Sequence, residues 1–168
     1  MSEVIKPSTV LPADRTPYVV TTEDGIELIV EVATPIRKSR GALLMFHPNP
    51  AGGGMMDSHL YRKAAWRLPA LSNVAILRFN TRGTTSAAGT SEGTYDEGRG
   101  ELQDLLAVVQ QQAGTGAVAL AGFSFGAFVT AQAAVQLTAA RAVEQLVLVG
   151  TAASRFQVPV LPQDLHER

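Results

Sequence analysis

The sequence predicts an α/β fold, a mostly parallel sheet with helices on both faces, entered through an antiparallel hairpin. Three observations predict it. Four short, predominantly apolar runs at residues 42–46, 74–79, 117–121 and 145–149 have the composition of strands buried on both faces. Stretches with apolar residues at helical spacing lie between them, so strands and helices alternate. Ahead of both stand two β-branched runs, 18–22 and 26–32, joined by Glu23-Asp24-Gly25. An Asp-Gly step is a hairpin signal because glycine accepts a positive φ.

Each element has its own justification. Residues 1–17 are Pro-rich and polar and are expected to form a flexible or loosely docked arm, which leaves 18–168 as a single domain. After the polar break at 35–40, residues 42–46 read as a central parallel strand, closed by the Gly/Pro-rich stretch 47–54. A helix is expected from Asp57 or Ser58 to Leu68, either residue serving as its cap, with Leu60, Ala64 and Leu68 on one face. The strand 74–79 leads into the Thr-, Ser- and Gly-rich loop 80–93, which has no pattern of its own. Thr94 and Glu97 have the spacing of a capping box, and the helix that follows carries Leu102, Leu105, Leu106 and Val109 inward and ends near Gln112. Residues 125–137 read as a helix that is apolar nearly all round.

Composition narrows the function classes. The chain has 168 residues, 46% hydrophobic and 17% charged, which suits one globular domain with a sizeable core. A net charge of -1 gives no electrostatic reason to expect nucleic acid or an anionic membrane, so a small molecule is the expected partner. The absence of cysteine removes disulfides, thiolate catalysis and cysteine-ligated metal together. The N-terminus lacks the apolar core of a secretory signal, and no apolar stretch approaches the roughly 18 residues of a membrane span. A cytoplasmic location is expected.

The chemistry centres on Gly122-Phe123-Ser124-Phe125-Gly126, a G-x-S-x-G motif between a buried strand and a helix. In that context the serine sits on a sharp turn that lifts its hydroxyl above the sheet edge. Its neighbours must be small because strand and helix pass closely, and the elbow glycines Gly122 and Gly126, with Ala127, meet that need. The free N–H groups of the following helix suit an oxyanion, the N–H of Phe125 first. The second donor is expected from the loop His47-Pro48-Asn49-Pro50-Ala51-Gly52-Gly53-Gly54. Pro48 and Pro50 have no N–H, so Asn49 is the best candidate.

Three blocks in order, residues 46–56 (FHPNPAGGGMM), 78–83 (RFNTRG) and 121–127 (AGFSFGA), resemble those of a family of small bacterial α/β-hydrolases. Ser91-Glu92-Gly93 and Gly100-Glu101-x-x-Asp104 extend the likeness over about residues 25–156. The resemblance implies an α/β-hydrolase fold and esterase-like acyl chemistry at Ser124; the chain departs from it in lacking the last strands, and no cofactor or metal is expected. It implies little about substrate. In the family the acid and then the histidine follow the serine on later strands, and the chain ends before both. Asp164, His166 and Glu167 are too close together to occupy two separate loops. His47 and His59 read as structural or surface histidines, and the three histidines lack metal-ligand spacing. Glu101 and Asp104 share a helix face, read as solvated or Arg-paired, with Arg82 as a partner.

Two functions follow from this. One is a serine hydrolase that acylates Ser124. The other is a catalytically incomplete fragment acting as a binding or structural module. A phosphate-cradling role for residues 51–54 ranks last, since neither G-x-G-x-x-G nor a Walker lysine is present. Strand 145–149 is expected at an exposed edge, open to self-association.

Overall fold

The computed structural model describes residues 4–112, 118–137 and 143–163. Strands β1 (Asp14–Thr21) and β2 (Glu27–Thr34) form the antiparallel hairpin, with Gly25 at φ 83 in its turn. β3 (Ala42–Phe46), α1 (His59–Ser72), β4 (Ala75–Phe79), the two-residue strands β5 (Thr85–Ser86) and β6 (Gly89–Thr90), and α2 (Arg99–Gln112) follow. β7 (Val118–Phe123), α3 (Phe125–Leu137) and β8 (Val143–Val149) complete the order. The main sheet runs β1-β2-β4-β3-β7-β8, parallel from β4 to β8 and antiparallel at β1 and β2.

The alternation of side chains along each strand divides the core in two. Leu44, Phe46, Leu77, Phe79 and Leu120 point to one face, where α2 and α3 cover them. Met45, Ile76 and Ala121 point to the other, where Tyr61 and Ala65 of α1 pack. α3 buries ten of its thirteen residues, as its nearly uniform apolar sequence predicts.

Several boundaries differ from expectation, each for a physical reason. β1 starts at Asp14, four residues before the predicted Tyr18. Pro17 is tolerated within it because β1 is an edge strand, where a missing N–H interrupts no ladder on the open side. Upstream, Leu11 N–H donates to the Trp66 carbonyl and Arg67 donates to the carbonyls of Lys6 and Pro7, so this segment lies along α1. α1 continues past Pro69 to Ser72. Proline leaves the carbonyl four residues earlier, on Ala65, without its helical donor, and the Arg15 guanidinium supplies one at 3.1 Å. The buried stripe of α1 is Tyr61, Ala65 and Pro69, one residue on from the predicted Leu60, Ala64 and Leu68; Leu60 is exposed. Ser58 stands at the N-cap position, but its hydroxyl accepts from the Met55 N–H instead of capping the helix.

The capping box predicted from Thr94 and Glu97 does not form. Glu97 has φ 53, and the carboxylate of Glu101 accepts from the N–H groups of Asp96 and Gly98, both at 2.8 Å. Glu101 and Asp104 are fully buried, which corrects the reading of a solvated face. Asp104 does pair with Arg82, through both carboxylate oxygens, while Glu101 caps the helix without an Arg partner. Residue 117 of the predicted third strand, and Asp164, His166 and Glu167, lie outside the described residues.

Candidate active site

β7 ends and α3 begins within one residue, and that residue is Ser124. It has φ 53, a left-handed conformation that costs a non-glycine residue roughly 1–3 kcal/mol and persists only where the surroundings enforce it. The surroundings are identifiable. The Ser124 N–H donates to the Val149 carbonyl at the end of β8 (2.9 Å), and its own carbonyl accepts from Ala127 (3.0 Å) to start α3. The residue is exposed at the carboxyl end of the parallel strands.

Both elbow glycines are required by close approach. A β-carbon on Gly122 would collide with the Gly126 carbonyl, and one on Gly126 with the backbone carbonyls of Phe46 and His47. The second collision shows that the end of β3 packs directly on the first turn of α3. Sheet register agrees, with Phe46 opposite Gly122. The loop after β3 is therefore brought beside the elbow, as the motif order suggests. Asn49 begins a short 3-10 turn (Pro50–Gly52) and caps it, its side chain accepting from the Ala51 N–H at 2.9 Å. Phe125 is buried, and its ring meets Phe46, Tyr95, Phe128 and Phe156. Being the first residue of α3, it has an N–H without an intrahelical acceptor.

His47 is a structural histidine, as expected. Its Nδ1 lies 2.7 Å from the Pro48 carbonyl, which can only accept, and its Nε2 accepts from the Thr81 N–H at 3.2 Å. Both bonds are satisfied by the neutral ring protonated on Nδ1. Burial pushes its pKa down to about 4, against the opposing pull of the Pro48 carbonyl. Its lone pair is committed and its ring is enclosed. His59 stands exposed at the start of α1.

The 78–83 block proves to be scaffolding around this site. Arg78, nearly buried, joins Glu31, Asp57 and the Met56 carbonyl. The Asn80 side chain accepts from the Met56 N–H and donates to Ser86 and to the Gly89 carbonyl, which gives the supposedly featureless loop its β5–β6 hairpin. Arg82 ties the end of β4 to α2 through Asp104 and to the first hairpin through Asp24. Tyr95 was not anticipated, because a single tyrosine in a Gly-rich loop carries no periodic signal. It packs on Phe125 with ring centroids 5.5 Å apart. With residues of the 50–55 loop and of 83–85, it lines a cleft of about 380 Å³.

A family model described as alpha/beta hydrolase matches residues 51–160. The chain belongs to the α/β-hydrolase family. Its fold is similar to that of a serine hydrolase without a lid from Xanthomonas campestris (30% identity, TM-score 0.72), covering 92% of this chain and 69% of that one. A serine hydrolase homologue from Coxiella burnetii is 31% identical (TM-score 0.64), over 78% of this chain and 60% of that one. The Pyrococcus furiosus esterase Pf2001 shares the fold at 21% identity (TM-score 0.62), over 81% of this chain and 51% of that one. The chain thus spans about half to two thirds of the length of these proteins. No curated protein sequence matches it. Within this hydrolase chain no helix among the described residues is long and apolar enough to cross a membrane.

Proposed function

We propose that the chain carries the nucleophilic half of an esterase-like serine hydrolase, with Ser124 attacking an acyl carbonyl. The observation that carries the reading is the positive φ of Ser124 in an exposed turn whose two flanking glycines admit no side chain. A strained, solvent-facing serine has no structural purpose that glycine would not serve at lower cost. The N–H groups of Phe125 and Asn49 are the proposed donors to the oxyanion formed when the Ser124 Oγ–carbon bond closes.

A serine hydroxyl is a weak nucleophile until a base takes its proton. His47 cannot act, since its ring is buried and both nitrogens are engaged. In the family the acid and histidine follow the serine in sequence, and His47, which precedes it, is enclosed and engaged. The enclosed and engaged His47 favours the second reading, a catalytically incomplete module, for these 168 residues tested alone. The expected outcome is very slow hydrolysis of a short-chain activated ester, within the roughly 10³–10⁴-fold over water that oxyanion binding alone supplies. Labelling by a fluorophosphonate should be slow and should vanish in Ser124→Ala. Rapid turnover abolished by Ser124→Ala would show that a base is present after all. Labelling that survives Ser124→Ala would refute the nucleophile itself.

A further inference from the structure

The net charge of -1 averages over two ends of the molecule that differ in sign. Exposed Glu23, Glu27 and Glu92 gather where the parallel strands finish and Ser124 stands. The five ion pairs among the described residues draw on Arg78, Arg82 and Arg99. Lys6, Arg37, Lys38, Arg40, Arg62 and Lys63 are therefore left without a carboxylate partner among those residues. All but Lys6 and the three cations of the 35–40 loop belong to α1, which contains no Asp or Glu from His59 to Ser72.

The loop that leaves β2 and enters β3 lies at the amino end of the parallel strands, opposite Ser124. Asn73, at the end of α1, holds it by donating to the Lys38 carbonyl and accepting from the Arg40 N–H. Between loop and helix runs a groove of about 510 Å³, walled by Pro35 and Pro69 and flanked by Ile36 and Leu71. Ile36 is 66% exposed and Leu71 57%. Beside them Arg37, Lys38 and Arg40 are exposed. The exposed acids nearby are Asp14, opposite Thr34 in the hairpin, and Glu144, which borders Arg40, too few to neutralise the cations. A single exposed aliphatic residue needs no explanation, but here two flank one groove inside a group of unpaired cations. An acidic peptide would use the cations and leave Ile36 and Leu71 in water. A bilayer surface takes both, the aliphatic side chains in the headgroup boundary and the cations at the lipid phosphates.

We propose that this end of the molecule docks on an anionic lipid surface, through Ile36 and Leu71 together with Arg37, Lys38 and Arg40, and that Ser124 then faces away from the bilayer. The proposal is independent of the nucleophile reading. The chain should co-sediment with vesicles of equal parts phosphatidylserine and phosphatidylcholine, much less with phosphatidylcholine alone, and added salt should weaken the binding. Replacing the three cations together, Arg37→Gln with Lys38→Gln and Arg40→Gln, should lower the partition coefficient by roughly 100-fold, at about fivefold per cation. Ile36→Ser with Leu71→Ser should lower it by roughly tenfold. All five side chains are exposed, so the circular dichroism should be unchanged. Arg99→Gln, at the Ser124 end, should leave binding as it was. Vesicle binding that is absent, equal on the neutral lipid, or untouched by the triple substitution overturns the proposal. Soluble polyglutamate bound as tightly as the vesicles, with no effect of the serine pair, would assign the cations to an acidic peptide and overturn it too. So would lipid-free assembly in sedimentation velocity that the triple substitution abolishes, which would give the face to a second copy of the chain.

Discussion

Serine and histidine, the two residue types that define this chemistry, are used here in opposite ways. Ser124 is exposed and strained, while His47 is buried and unreactive. The histidine has a measurable consequence. In the unfolded chain it takes a proton near its ordinary pKa of 6.5, whereas in the folded chain it resists protonation until about pH 4. Folding therefore disfavours the proton. Its contribution to stability is full above pH 6.5 and is lost as the pH falls toward 4, by about 3 kcal/mol in all. Urea unfolding at a series of pH values should show this slope, and His47→Asn should flatten it at some cost in stability at neutral pH. A slope unchanged in the variant would place the titration elsewhere.

Among the elements, α2 depends most on a single polar connection. Its inner face carries Leu105 and Val108 into the core, but also Asp104, fully buried, whose carboxyl pKa is raised by burial against the pull of Arg82. Arg82 meets it with its Nε and Nη2 and with its own backbone N–H. Removing the guanidinium leaves a buried carboxyl group with only the backbone N–H of residue 82 from this partner and no compensating charge, which ordinarily costs about 3–5 kcal/mol. Arg82→Ala should lower the unfolding free energy by about that amount in denaturant titrations, and the double variant Arg82→Met with Asp104→Leu should recover much of it. If the single variant loses under about 1 kcal/mol, the pair is not what seats α2.

For the molecule as a whole, the exposed feature is β8. It lies at the end of the sheet, paired on one side with β7, and Val147 and Val149 are 47% and 42% exposed. An open apolar edge is a template for another strand. We propose that the isolated chain associates with itself through this edge. Sedimentation velocity should show concentration-dependent assembly, and Val147→Lys should suppress it because a charge on the edge opposes pairing. A monomer at all concentrations would remove the idea.

Local pattern determined the elements and the elbow. The apolar runs placed the four parallel strands, the Asp-Gly step placed the hairpin, and Gly122-Phe123-Ser124-Phe125-Gly126 marked the turn at which Ser124 stands. Steric demands among neighbours in sequence are enough for that, since a positive φ and a tight strand-to-helix passage are written into five residues. Three features were decided by tertiary structure, because each depends on a partner far along the chain. α1 continues through Pro69 because Arg15, more than fifty residues earlier, supplies the missing donor to the Ala65 carbonyl. Glu101 and Asp104 look like surface charges until the backbone of 96–98 and the guanidinium of Arg82 enclose them. Tyr95 gains its place only when the loop after β3 and the first turn of α3 meet beside it. Periodicity reports which face of an element is apolar, and it is blind to a buried polar group whose partner arrives from elsewhere.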